Sequence, residues 1–126
     1  MKLAGIAPIV AVADPDAAAE WLIARLGFEQ RSADDGNTYR LVARDGAALV
    51  LVGPGDRESL AATAKHSSAY VWVEDLDAFW AEIAPRLADL PEGSVRAPFQ
   101  QPYGMRECHV KGPDGVLLMF GEDATE

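Results

Sequence analysis

The sequence predicts an α+β fold built from two successive βαβββ units. Three observations carry this: an internal repeat, an aspartate placed to open a helix in each copy, and a matched pair of closing hairpins. Val10-Ala-Val12-Ala-Asp14-Pro-Asp16-Ala17 aligns with Val71-Trp-Val73-Glu-Asp75-Leu-Asp77-Ala78 at an offset of 61 (71 − 10). The same offset pairs Leu22 with Ile83, Arg25 with Arg86 and Leu26 with Leu87. The closing turns align Asp45-Gly46 with Asp114-Gly115, an offset of 69 (114 − 45), so the second copy carries extra residues, placed in the Pro-rich stretch 91–102.

Each copy begins with a short apolar strand that meets Asp14 or Asp75, whose carboxylate can accept from the free N–H groups of a helix's first turn. Pro15 suits the first helical position because its missing N–H would have no partner there. Ala18, Leu22 and Leu26 recur at helical spacing in the first copy, and Leu76, Phe79, Trp80, Ile83 and Leu87 in the second, so each helix has one apolar face to lay on a sheet. Gly27 is placed as a glycine C-cap, and Pro85 shortens or kinks the second helix. Three strands follow each helix: Phe28–Arg31, Thr38–Arg44 and Ala47–Val52 in the first copy, and Val95–Gln100, Met105–Lys111 and Val116–Phe120 in the second. Turn residues at 35–37, 45–46 and 113–115 separate them. Residues 54–65 form the linker, with a short helix expected at 58–64. One domain thus spans 1–126, with repeat one at about 3–53 and repeat two at about 66–122.

The chain has 126 residues, 49% of them apolar, enough for one continuous core. Its formal charge of −9 at pH 7 opposes binding to nucleic acid or anionic membrane, which needs clustered Lys and Arg. A single cysteine, Cys108, leaves no intrachain disulfide and no Cys-rich metal site, and gives no reason to place the protein in an oxidising compartment. Lys2 and the apolar run to Ala13 superficially imitate a secretion signal, but the run is short, is interrupted by Pro8 and recurs as an internal strand. The expected location is the cytoplasm.

A tandem βαβββ repeat that closes on Gly112-Pro-Asp-Gly-Val-Leu-Leu-Met-Phe120 resembles the vicinal oxygen chelate superfamily, which contains glyoxalase I, extradiol dioxygenases, fosfomycin-resistance enzymes and bleomycin-resistance proteins. Ala69-Tyr-Val-Trp-Val-Glu-Asp-Leu-Asp77 and Gln101-Pro-Tyr-Gly-Met-Arg-Glu107 are most similar to the bleomycin-resistance branch. The resemblance implies a curved mixed β-sheet with helices on its outer face. Enzymes of the superfamily hold a divalent metal at equivalent places on the first and last strands of each repeat. Those places correspond here to Ala7, Val50, Ser68 and Met119, none of which offers the imidazole or carboxylate that such a cation needs. No metal and no other cofactor is therefore expected.

With Ser68 on the concave face, strand alternation puts Tyr70 and Trp72 there too, with Met119 on the last strand. The resemblance implies that Tyr39 and Tyr103 hold a flat aromatic ligand; Phe99 is a further candidate for the ligand surface. An aromatic stack adds only about 0.5–1.5 kcal/mol beyond buried area, whereas nanomolar binding needs about 12 kcal/mol. Burial and an acidic field acting on a cationic group, from Glu107, Asp34 and Asp35, would supply the rest. Ligand-binding residues are thus expected at Tyr39, Ser68, Tyr70, Trp72, Phe99, Tyr103, Glu107 and Met119, and no catalytic residue is assigned.

The expected function is a metal-independent protein that sequesters a planar cationic or aromatic antibiotic at a dimer cleft, the homodimer being implied by the resemblance. The alternative is a glyoxalase-like lyase or an isomerase, since Glu107 and His109 share one strand face and form a candidate acid–base pair, while Cys108 faces the other way. His66 and His109 otherwise read as surface or interface imidazoles. A purely structural or regulatory dimer is a third reading.

Overall fold

A computed structural model describes residues 1–54, 56, 58, 60, 62 and 67–124. The short helix expected at 58–64 and His66 fall wholly or partly outside these residues. The chain divides into two compact units, Met1–Thr63 and Ala64–Glu126.

In the first unit, strand β1 (Ile9–Ala11) runs into helix α1 (Pro15–Leu26), followed by β2 (Glu29–Ala33), β3 (Tyr39–Arg44) and β4 (Ala47–Val52). The sheet order is β1-β4-β3-β2, with β1 parallel to β4 and the other pairs antiparallel. The second unit repeats this with β5 (Ser68–Trp72), α2 (Leu76–Ile83), β6 (Val95–Gln100), β7 (Met105–Lys111) and β8 (Leu117–Asp123), in the order β5-β8-β7-β6. Both are mixed four-stranded sheets. The repeat offsets survive in the strand register: Ile9 faces Val50 and Tyr70 faces Met119, separations of 61 (70 − 9) and 69 (119 − 50).

Each helix starts where its aspartate can cap it. The Asp14 carboxylate accepts from the Ala17 N–H at 3.1 Å, and Asp75 accepts from the Ala78 N–H at 3.0 Å. In the first unit Asn37 reinforces the cap, donating to Asp14 at 2.7 Å and accepting from the Asp16 N–H at 2.8 Å. That side-chain bond to Asn37, with the Ala17 N–H, holds the Asp14 carboxyl below its ordinary range. Gly27 ends α1 at φ 75°, the left-handed conformation that glycine adopts at little cost. Gly27→Ala is expected to lower stability by about 1 kcal/mol, read as a lower urea midpoint with an unchanged slope.

Apolar faces meet where the periodicity places them. Leu22 and Leu26 of α1 are buried, as are Val42 and Leu51 of its sheet. Their counterparts Ile83 and Leu87 are buried beside Val110, Leu118 and Phe120. Pro85 has no N–H to continue an α-helix, so α2 stops at Ile83 and residues Ala84–Leu87 tighten into a 3-10 turn.

Three strands differ from the sequence expectation at their ends, β3 only in starting at Tyr39 and not at Thr38. The second strand is shifted to Glu29–Ala33, and the last strand runs past Phe120 to Asp123. Gly121, Glu122 and Asp123 look like loop residues, yet they pair with Glu107, Arg106 and Met105 of β7. The Glu122 carboxylate also accepts from the Leu76 N–H at 3.1 Å, which ties the strand end to the start of α2. The extra residues of the second copy are not all upstream: two residues, 45 and 46, close the first hairpin between Arg44 and Ala47, whereas residues 113–115 lie between Gly112 and Val116 in the second.

Candidate functional site

The second unit concentrates polar chemistry on one face of its sheet. Side chains alternate along β7, so Cys108 and Val110 enter the core against α2 while Glu107 and His109 share the opposite face. Burial pushes the Cys108 thiol up to about 12, which removes it as a nucleophile.

Glu107 is the one buried charged side chain among the described residues. A carboxylate out of water is costly unless its oxygens are satisfied, and here both are. Oε1 accepts from Gln101 Nε2 at 3.0 Å and from His109 Nε2 at 2.8 Å. Oε2 accepts from the Tyr70 hydroxyl at 2.8 Å and the Tyr103 hydroxyl at 2.5 Å. Two donors on each oxygen fill the four lone-pair positions of the group. Burial by itself would raise the Glu107 pKa, but the bonds from Tyr103, Gln101, His109 and Tyr70 outweigh it and bring it down to about 2. Burial and then the bond to Glu107 raise the Tyr70 phenol, and the bond to Glu107 followed by burial raises Tyr103, so both hydroxyls keep their protons.

Three local features build this cluster. Gln101 and Tyr103 project from the β6–β7 turn, which closes through a Gly104 N–H bond to the Gln101 carbonyl at 3.3 Å with Gly104 at φ 85°. Phe99 lies opposite Glu107 in register, and its ring meets His109 edge-on at 5.0 Å while the Arg96 guanidinium sits 3.4 Å from its centroid. Tyr70 is on β5 and must cross β8 to reach β7. It crosses at Gly121, the residue opposite both Trp72 and Glu107, where an added Cβ would fall on the Tyr70 hydroxyl oxygen and 2.7 Å from its ring carbon Cζ.

Trp72 lies 4.9 Å from the Tyr70 ring and is 74% exposed, and Tyr103 is 61% exposed. The carboxylate is therefore roofed by aromatic surface that faces water. Of the expected site residues, Tyr70, Trp72, Phe99, Tyr103, Glu107 and Met119 come together on this face. Met119 is half-buried opposite Tyr70 and His109, and Ser68 is exposed near the start of β5. Tyr39 belongs to the first unit, half-buried on β3. Asp34 is drawn into its own loop, accepting from the Thr38 hydroxyl and from Arg40 at 3.1 Å. Sequence reasoning assigned no role to Gln101 or Gly121, and named His109 only as the partner of Glu107 in the alternative acid–base reading. The turn motif that drew attention to Tyr103 also contains Gln101, but nothing local marks Gly121.

A metal site does not fit the residues. Ala7, Val50 and Met119 carry no hard donor and Ser68 has only a neutral hydroxyl. Among the described residues no group of three or more His, Cys, Asp or Glu side chains is disposed to hold a metal ion.

Two successive βαβββ units, each with a mixed four-stranded sheet and a helix, define the class of α+β protein to which this fold belongs. The chain belongs to the glyoxalase/bleomycin resistance protein/dioxygenase superfamily, whose family model matches residues 3–120. The bleomycin-binding protein of bleomycin-producing Streptomyces verticillus, solved with copper(II)-bleomycin, is similar at 26% identity and a TM-score of 0.77, covering 100% of this chain and 99% of its own. A bleomycin resistance determinant encoded on transposon Tn5 is similar at 24% identity and a TM-score of 0.76, covering 98% and 100%. Lactoylglutathione lyase from Agrobacterium tumefaciens shares the fold at 15% identity and a TM-score of 0.67, covering 96% and 95%. No curated protein matches. Structural neighbours thus include both drug-binding proteins and lyases. Among the described residues no helix is long and apolar enough to cross a membrane.

Proposed function

We propose that this protein binds and sequesters a planar, cationic aromatic antibiotic of the bleomycin type, without a metal and as a cytoplasmic homodimer in which the two repeats act as one domain. One observation carries the reading: an ionised, fully hydrogen-bonded carboxylate at Glu107 lies beneath exposed aromatic surface from Trp72 and Tyr103. Aromatic faces supply area for a flat ligand, and a negative charge beneath them favours a cation. The likeness to the bleomycin-binding protein of Streptomyces verticillus over the full length of the chain supports the same reading. Tyr39 and Ser68 belong to the proposed ligand surface as well.

An acid–base role for Glu107 and His109 loses support from the same geometry. A carboxylate held near 2 with both oxygens filled is a weak base with no free lone pair for a substrate proton.

Titration with metal-free bleomycin is expected to quench tryptophan emission saturably at micromolar ligand, and the quench should fall sharply in Trp72→Phe. No saturable change in the wild type would reject bleomycin as the ligand. Sedimentation of the unliganded protein at twice the chain mass would support the dimer, and stoichiometric metal after purification without chelators would overturn the metal-free reading.

A further inference from the structure

We infer that Glu107 sets the hydrogen-bond polarity of this site: it turns the protons of four side chains toward itself, so that the site selects cations that donate hydrogen bonds. This inference rests on the ligand-binding reading above and specifies the chemistry of the ligand.

The polarity follows from counting protons. Each tyrosine hydroxyl has one proton, and those of Tyr70 and Tyr103 are given to Glu107 Oε2. What remains on each oxygen is acceptor capacity only. Because the carboxylate is ionised, the His109 Nε2 that meets Oε1 must carry its proton, which leaves Nδ1 as the acceptor of the neutral ring. Gln101 spends one amide proton on Oε1 and keeps its carbonyl oxygen, so its second amide proton is the sole donor left in the four side chains. Two phenolic oxygens, an imidazole nitrogen and an amide oxygen thus surround a buried negative charge. An amidinium or guanidinium attached to an aromatic ring matches that arrangement, whereas a carboxylate meets acceptors and like charge. A quaternary ammonium has the charge but no proton to give.

Benzamidinium, phenyltrimethylammonium and benzoate share one ring and differ only in this chemistry, so ligand-observed NMR with the full chain tests the inference. At about pH 8 the wild type is expected to bind benzamidinium about tenfold or more tightly than benzoate, with phenyltrimethylammonium between them. Glu107→Gln, whose amide has a donor of its own, should bring benzamidinium and benzoate to near parity. Should that variant fail to fold, the ¹⁵N shifts of His109 in the unliganded wild type give an independent reading, and the Nε2–H tautomer is expected. Benzoate binding as tightly as benzamidinium in the wild type, or an Nδ1–H tautomer, would overturn the inference. Wild type that binds bleomycin yet shows no such ratio refutes the polarity argument alone; a clear ratio without bleomycin binding refutes the bleomycin assignment alone.

Discussion

Glu107→Gln is expected to remove on the order of 3 kcal/mol of stability at neutral pH, and the loss should disappear in acid. In the folded chain four donors stabilise the ionised carboxylate and bring its pKa from 4.5 down to about 2, and each pKa unit corresponds to about 1.4 kcal/mol. Above about pH 4.5 the unfolded chain is also ionised at this position, so the whole stabilisation is present. Between about pH 4.5 and 2 the unfolded state takes up a proton that the folded state resists, and the stabilisation declines with falling pH. Urea unfolding of wild type and variant across this range isolates the contribution, because every other carboxylate is common to both proteins. A stability difference that stays constant down to about pH 2 would mean that Glu107 is not held as an ionised acceptor. The variant should also lose bleomycin-induced quenching, since its amide oxygen can accept from only one pair of donors while its NH2 group meets the other pair donor to donor.

Gly121→Ala is expected to be nearly as disruptive, though it removes no interaction directly. The new methyl group occupies the space of the Tyr70 hydroxyl, and the strand pairing of β8 with β5 and β7 keeps the backbone from yielding. Tyr70 must then leave Glu107, and overpacking of this kind costs about 1–3 kcal/mol. The cause can be separated from a general strand effect by a double-mutant cycle: in a Tyr70→Ala background the same substitution should cost little. Additive penalties would show that the glycine serves the backbone of β8 and not the passage of the tyrosine ring.

Much of this architecture is visible in the sequence because its causes are local or periodic. An aspartate before a helix, a proline after it and a glycine in left-handed conformation act within a few residues, and the repeat doubles every such signal. Where tertiary pairing overrides local composition, sequence reasoning stops short: Gly121-Glu122-Asp123 has no strand signature, yet it is held in the sheet by β7 and by the start of α2. The site divides along the same line. Alternation placed Tyr70 with Trp72, and Glu107 with His109, on common faces. No rule of sequence spacing could show that Tyr70 and His109, with a turn containing Gln101 and Tyr103, converge on the carboxylate of Glu107.

By itself, then, the sequence determined the repeated βαβββ order, the helix caps, the side of each strand that meets the core and the lack of metal-ligating residues where the superfamily carries them. The tertiary structure alone decided what Glu107 does. Read along the chain it is an acidic residue available to attract a cation or to take a proton. In the fold, its own strand and the turn before it bring His109, Gln101 and Tyr103 to the carboxylate, and Gly121 leaves the gap through which Tyr70 arrives from a strand distant in sequence. A buried charge is stable only when its whole coordination is complete, and that completeness is a property of the sheet as assembled.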